Sequence, residues 1–197
     1  MKSELNILVT GGSGFLGSHL CENLLEQGHK VICLDNFYSS EKSNISSLMN
    51  NSNFTFIEDD VCNCKINFHI DQIYNLACPA SPIHYQSDPV KTVQTNILGS
   101  LNMLELAKKH NAKILQASTS EVYAGTLENF KLEIPTPENS PLSLSDLRHP
   151  RSSYMLSKIY GEALCHHSKI PYTIFRPHNL YGPRMGMAHI IPEQLFK

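Results

Sequence analysis

The amino-acid sequence predicts an α/β protein built on a doubly wound parallel sheet. Three observations carry this. Short apolar runs alternate with segments whose apolar residues recur every three or four positions. A glycine-rich turn, TGGSGFLG at residues 10–17, joins the first apolar run to the first helical pattern. The second apolar run ends on a carboxylate, Asp35. Strand–helix–strand repetition requires right-handed crossovers, which place helices on both sheet faces and ligands at the carboxyl ends of the strands.

The first strand is predicted at residues 6–10 (NILVT), followed by a helix over 15–27 whose inward face is Phe15, Leu16, His19, Leu20, Asn23 and Leu24. Gly28 stands where a helix C-cap belongs. Residues 30–34 (KVICL), 54–57 (FTFI) and 72–76 (QIYNL) are the next three strands, and residues 81–89 read as loop. A long helix spans 88–110, with Asp88 as N-cap and Pro89 in its first position. Its residues Val90, Val93, Ile97, Leu98, Leu101, Leu104 and Leu106 cover more than one stripe, so one stripe packs on the sheet and the surplus predicts a partner helix. Strand five is 113–117 (KILQA), a helix covers 152–167, and strand six is 172–175 (YTIF). Residues 126–151, with four prolines, read as a loop insertion over the site.

Composition narrows the function. The 197 residues suit one domain, and with 41% hydrophobic and 17% charged residues the chain can bury a core rather than stay disordered. A net charge of -2 without a Lys/Arg cluster argues against nucleic acid and anionic membrane as partners. No apolar stretch approaches the ~20 residues of a bilayer span, and the N-terminus lacks a secretory apolar core. The six cysteines are scattered, Cys62 and Cys64 being the one close pair, which implies reduced thiols and a cytoplasmic protein. The histidines show no ligand spacing, so no metal is expected.

Gly12, Gly14 and Gly17 satisfy G-x-G-x-x-G, and Gly11, Gly14 and Gly17 the related G-x-x-G-x-x-G, between a strand and a helix as a dinucleotide fingerprint requires. Glycine lets backbone approach a pyrophosphate, whose charge then meets free N–H groups of Phe15 and Leu16 at the helix N-terminus, while Gly17 allows close helix–strand packing. Asp35 is placed to accept from the adenosine ribose hydroxyls and to repel a 2′-phosphate, so NAD is the predicted cofactor. The fold is thus Rossmann-like.

Tyr154 and Lys158, one turn apart on a helix, share a face. A free phenol titrates near ~10, too high for a base at neutral pH. An ammonium at about 4 Å contributes ~4 kcal/mol at an effective dielectric of about 20, enough to make a phenolate. The segment Ser118–Tyr123 begins just past strand five, where site residues belong.

With the fingerprint, this constellation resembles the extended short-chain dehydrogenase/reductase family, the NAD-dependent nucleotide-sugar epimerases, dehydratases and decarboxylases, over essentially all of the chain. The segments LACPASPIHY (76–85), DPVKT (88–92), Thr95-Asn96 and Asp35-Asn36-Phe37 are most similar to UDP-glucuronate decarboxylases. The resemblance implies that Thr119 orients the sugar 4-OH, that Tyr154 is the base and Lys158 its partner, and that Ser120 and Glu121 assist reprotonation at C5. It implies cofactor contacts at Asn36, Asp60, Val61, Leu76 and Ala77, and that the segment holding Arg176, Asn179, Tyr181 and Arg184 leads to the sugar-nucleotide phosphates. Ser120 stands where dehydratases carry Asp, which favours decarboxylation, and leaves 4-epimerisation as the alternative. Ala124 replaces a usual Gly, and the residues between Tyr154 and Lys158 differ from the decarboxylase version. The family implies a homodimer through the helices at 88–110 and 152–167. It also implies a small C-terminal substrate lobe, of which residues 178–197 are only the start; with that lobe largely missing, the chain reads either as a UDP-sugar enzyme or as a truncated, non-catalytic NAD-binding module.

Overall fold

The computed structural model describes residues 3–131, 134–144, 146–187 and 190–195. Six parallel strands form its sheet: β1 (Asn6–Thr10), β2 (Lys30–Asp35), β3 (Phe54–Glu58), β4 (Gln72–Asn75), β5 (Lys113–Ala117) and β6 (Tyr172–Phe175), in the order β3-β2-β1-β4-β5-β6. The chain reverses its direction of winding between β1 and β4, the place where such a sheet opens a crevice for ligand. Alternation along β1 divides the core. Ile7 and Val9 face Cys21, Leu24, Cys33 and Phe54 on one side, and Leu8 faces Leu34, Ile73, Met103 and Ile114 on the other.

Helix α1 (Phe15–Glu26) and a 3-10 turn at Lys42–Leu48 cover the first side, and Gly28 follows α1 at φ +83. The buried residues of α1 are Gly17, Ser18, Cys21 and Leu24, so the expected inward face is rotated. The cause is Gly17, where an added Cβ would lie 2.1 Å from the Gly11 carbonyl oxygen; the helix approaches the turn along its small residues. Leu16 and Leu20 are left on the flank, lining with Tyr74, Leu76, Leu115 and Phe175 an apolar groove of about 220 Å³.

Residues 81–89, expected as loop, contain helix α2 (Pro82–Ser87), with Pro82 starting it and Tyr85 buried beneath. The long helix α3 (Pro89–His110) starts as anticipated: Asp88 accepts from the Lys91 backbone N–H at 2.9 Å. Its packed face is not leucine-rich. Leu104 is buried as expected, together with Thr92, Asn96, Gly99, Ser100, Met103 and Ala107, and a Cβ on Gly99 would meet Val61 Cγ1 at 2.7 Å, so small residues draw the helix close to its neighbours. Val90, Leu98 and Leu101 remain exposed. The insertion 126–151 is only partly loop, because helix α4 (Ala124–Phe130) runs into it, with the Thr126 hydroxyl bonded to the Pro141 carbonyl. Helix α5 (Ser152–His167) lies beside α3, where Asn96 donates to the Ser157 hydroxyl at 2.9 Å, and a short α6 (Ile190–Leu195) follows β6.

Candidate active site

The glycine turn sits at the carboxyl ends of β1, β2 and β4. Gly11 has φ +67, and its N–H donates to the Leu34 carbonyl at 2.8 Å; a Cβ there would stand 2.9 Å from the Ala77 nitrogen. Thr10 braces the opposite wall, its hydroxyl donating to Asn75 at 2.7 Å and accepting from the Leu76 and Ala77 N–H groups at 3.1 Å each. Gly14 precedes α1 with no side chain capping the helix, so the first-turn amides at Phe15 and Leu16 have no side-chain acceptor from the N-cap.

Asp35 is buried against this turn, accepting from the Ser13 N–H at 3.0 Å, the Phe37 N–H at 2.9 Å and the Ser40 hydroxyl at 2.9 Å. Asp60, just past β3, accepts from Asn36 at 3.2 Å, from the Cys62 N–H at 2.9 Å and from Lys91 at 2.8 Å. Burial raises its pKa, but the Lys91 ammonium and the Cys62 N–H outweigh burial and hold it at about 2. Val61 lies beside it, buried under Gly99.

The second group gathers at the ends of β5 and β6. Thr119 caps the 3-10 turn Ser120–Tyr123 by accepting from the Glu121 N–H at 3.2 Å, and the Ser120 N–H donates to the Pro177 carbonyl at 3.1 Å. Tyr154 and Lys158 project from α5, both buried, with Lys158 Nζ 5.8 Å from the centre of the Tyr154 ring and donating to the Ala117 carbonyl at 2.9 Å. Tyr85 of α2 stacks on Tyr154, with ring centres 4.5 Å apart and planes 8° off parallel, and its hydroxyl reaches Glu121 Oε1 at 3.4 Å. Arg151 approaches the same oxygen at 3.7 Å, while Glu121 Oε2 and the Ser81 hydroxyl are buried with no hydrogen-bond partner among the described residues.

Electrostatically the phenol is opposed. Burial drives the Tyr154 pKa well above its ordinary value, the nearby Cys78 thiol, Glu121 and Tyr85 add to this, and the Thr119 hydroxyl works against them. Burial likewise pushes Tyr85 up to about 12. Burial, Cys78, Glu121 and Tyr85 thus oppose the phenolate that the lysine is expected to favour. The ammonium is shared with the Ala117 carbonyl and faces a desolvated site.

Of the more distal candidates, Asn179 is exposed in the segment after β6 at φ 29. Arg184, at φ 66, is held by α1: its guanidinium donates to Glu22 at 2.9 and 2.5 Å and to the Asn44 carbonyl at 3.1 Å, and meets His19 Nδ1 at 2.5 Å. Arg176 is turned inward, onto Glu162. Sequence reasoning passed over Tyr85, Cys78, Arg151 and Glu162. Glu162 had a signal in continuing the Tyr154–Lys158 spacing by one further turn, and Cys78 and Tyr85 had one in lying within the family-like segment 76–85.

The residues present fit NAD. Added Cβ atoms on Gly11 and Gly17 would strike backbone, so this turn is built to be bare, and Asp35, Asn36 and Asp60 lie along one path from it. Gly11, Gly14 and Gly17 with the α1 amides would hold the pyrophosphate, Asp35 the adenosine ribose, Asp60 and Val61 the adenine side, and Lys158 with Tyr154 the nicotinamide end. When bound, NAD supplies a hydride acceptor and a positive charge on its oxidised ring.

A sheet of this strand order, with a bare glycine turn and a buried tyrosine–lysine pair beyond it, defines a dinucleotide-dependent protein. The chain belongs to the NAD dependent epimerase/dehydratase family, whose model matches residues 7–196. It is 44% identical over 188 residues to UDP-glucuronic acid decarboxylase 4 of Arabidopsis thaliana, covering 93% of this chain and 41% of that protein. It is 40% identical over 195 residues to UDP-glucuronic acid decarboxylase 1 of Xenopus tropicalis, covering 94% and 44%. Among solved structures it is similar to a UDP-N-acetylglucosamine 4-epimerase from Methanobrevibacter ruminantium M1 in complex with UDP-N-acetylmuramic acid, with a TM-score of 0.81, 29% identity and coverage of 97% and 61%. Bordetella bronchiseptica WbmG in complex with NAD and UDP matches with a TM-score of 0.79, 28% identity and coverage of 97% and 58%. The chain thus spans about two fifths to three fifths of the length of these relatives.

Proposed function

We propose that this chain carries the NAD site and reacting centre of a UDP-glucuronate decarboxylase. The observation that carries the reading is the cluster of buried Thr119, Tyr154 and Lys158 with half-buried Glu121 at the ends of β5 and β6, in a chain whose curated relatives are named UDP-glucuronic acid decarboxylases. Tyr154 accepts the proton of the sugar 4-hydroxyl, which Thr119 orients, as the C4 hydride departs. The resulting β-keto acid loses carbon dioxide without further help from a base, and once C5 is reprotonated the hydride returns to C4 as Tyr154 gives its proton back to the C4 oxygen. Glu121, whose Oε2 is buried and unpartnered, sits near Tyr154 and is a candidate to return a proton at C5 with Ser120 beside it.

Incubation with UDP-glucuronate and NAD should give UDP-xylose and carbon dioxide. Interconversion of UDP-hexoses with UDP-glucuronate untouched would move the assignment to a 4-epimerase, the activity named for the Methanobrevibacter relative. Stoichiometric NAD binding with no turnover of either substrate would leave a non-catalytic NAD-binding module. In the first two readings Asn179 and the segment after it lead to the UDP phosphates. Leu98 and Leu101 of α3 and Leu156 and Tyr160 of α5 form an exposed stripe, which supports a homodimer. All six cysteines are free thiols, which supports the cytoplasm; among the described residues no helix is long and apolar enough to cross a membrane.

A further inference from the structure

Behind the tyrosine and lysine lies a polar cluster that touches neither of them. Glu162 follows Lys158 by one turn of α5, and its side chain is 3% exposed. Its Oε1 accepts from the Ser118 hydroxyl at 2.5 Å and from Arg176 Nε at 2.8 Å, and its Oε2 from Arg176 Nη2 at 2.6 Å. The remaining Arg176 nitrogen, Nη1, donates to the Tyr123 hydroxyl and to the Glu138 carbonyl, the latter at 2.9 Å. The guanidinium carbon also lies 4.9 Å from the centre of the Tyr123 ring.

Each partner belongs to a different piece of the reacting centre. Ser118 directly precedes Thr119. Tyr123 closes the turn that carries Ser120 and Glu121. Arg176 is the first residue beyond β6, and Glu162 is fixed to the helix that carries Tyr154 and Lys158. One carboxylate and one guanidinium therefore hold four segments in a single arrangement. A paired buried charge contributes little net stability compared with apolar residues of similar volume, whereas its fork geometry fixes distances that apolar packing leaves loose.

We infer that Glu162 and Arg176 are positioning residues, which set the distance and angle between the Tyr154–Lys158 pair and Thr119 and Glu121. The inference rests on the proposed function only for what the arrangement is for. The geometric claim concerns the ionisation of Tyr154 and can be read without substrate.

The test replaces both partners at once, Glu162→Leu with Arg176→Leu, so that no unpaired charge stays buried. The ionisation of Tyr154 is followed in NAD-saturated protein by the phenolate ultraviolet absorbance, with Tyr154→Phe in each background as the blank. The groups that face the phenol, Lys158, Cys78, Tyr85 and Glu121, are unchanged by these substitutions. We expect a folded double variant, melting as the parent does, in which the phenolate fraction at neutral pH falls about tenfold or more as the lysine loses its registry. If UDP-glucuronate is turned over, kcat falls roughly a hundredfold with KM unchanged. A folded double variant with the parent's Tyr154 titration overturns the inference. Should the double variant not fold, Arg176→Lys decides: it keeps the charge but loses the fork, and an unaltered Tyr154 titration there overturns the inference equally. Absence of turnover in the parent chain counts against the decarboxylase reading and leaves the absorbance test intact.

Discussion

Removing the Lys158 ammonium tests the electrostatics of the site most directly. Its Nζ is 5.8 Å from the centre of the Tyr154 ring, and a unit charge at that distance contributes about 3 kcal/mol to a phenolate at an effective dielectric of about 20. That energy corresponds to roughly a hundredfold in the phenolate fraction. Lys158→Met keeps the length of the stem and removes the charge. In NAD-saturated protein, phenolate absorbance corrected with Tyr154→Phe should therefore report about one hundredth of the parent's phenolate at neutral pH. Where turnover is measurable, the rate should recover as pH rises, because the base is then formed by hydroxide rather than by the lysine. The same substitution leaves the Ala117 carbonyl without its donor, so a melting curve is needed to separate a loose site from an uncharged one. A folded Lys158→Met protein whose Tyr154 titrates as in the parent would refute the reasoning.

Gly17→Ala places a Cβ 2.1 Å from the Gly11 carbonyl oxygen and 2.7 Å from the Gly12 Cα, so calorimetry should show NAD affinity reduced at least tenfold and denaturant curves a loss of about 3 kcal/mol. Gly28→Ala is its control: nothing lies within 4 Å of the added atom, but φ is +83, so stability should fall by about 1 kcal/mol with NAD affinity unchanged. Lys91→Met removes the cation that helps hold Asp60 at about 2 against an ordinary 3.8. A depressed carboxylate stabilises the fold above its unfolded pKa and loses that contribution as pH falls through about 2, so urea midpoints should show a deficit of about 1–2 kcal/mol at neutral pH that disappears near pH 2. Leu98→Glu with Tyr160→Glu puts charge on exposed apolar positions of α3 and α5, and if these helices form the proposed dimer, sedimentation should show the parent as a dimer and the variant as a monomer with melting behaviour retained; a monomeric parent would refute the proposal.

The strands were legible because each is a short apolar run bounded by a turn, and strand–helix alternation with the crossover rule made the sheet parallel. The glycine turn and Asp35 were legible for a different reason, namely that backbone approach to a phosphate admits one residue type. Helix faces were read less well. On α1 and α3 many of the packed residues are Gly, Ser, Thr, Asn and Ala beside Cys21, Leu24, Met103 and Leu104, because close approach selects for small size, while several of the large apolar residues face outward. Apolar periodicity reports burial only where packing distance is not the constraint. The same blindness hid α2: a helix of six residues that starts on a proline offers too few turns for any period to show. Tyr85, which that helix delivers to the face of Tyr154, could not be placed from spacing because its partner is far along the chain.

The charge balance around Tyr154 carries a consequence for when the site becomes reactive. Desolvation, Cys78, Glu121 and Tyr85 all favour the neutral phenol, and Thr119 is the opposing group nearest the hydroxyl. Lys158, at its observed distance, offsets only about 3 kcal/mol of this at an effective dielectric of about 20. On the proposed function, a second positive charge close to the ring would add to the ammonium in favouring the phenolate. In the proposed complex the oxidised ring of NAD would bring that charge, while its reduced form is neutral. The base is thus armed in the oxidised complex and disarmed in the reduced one, which matches the order of proton transfers that oxidation at C4 requires. Titration of Tyr154 without NAD, with NAD and with NADH should accordingly give phenolate at neutral pH in the NAD complex alone; phenolate in the cofactor-free protein would show that Lys158 suffices and that the buried acidic and aromatic neighbours matter less than their positions imply.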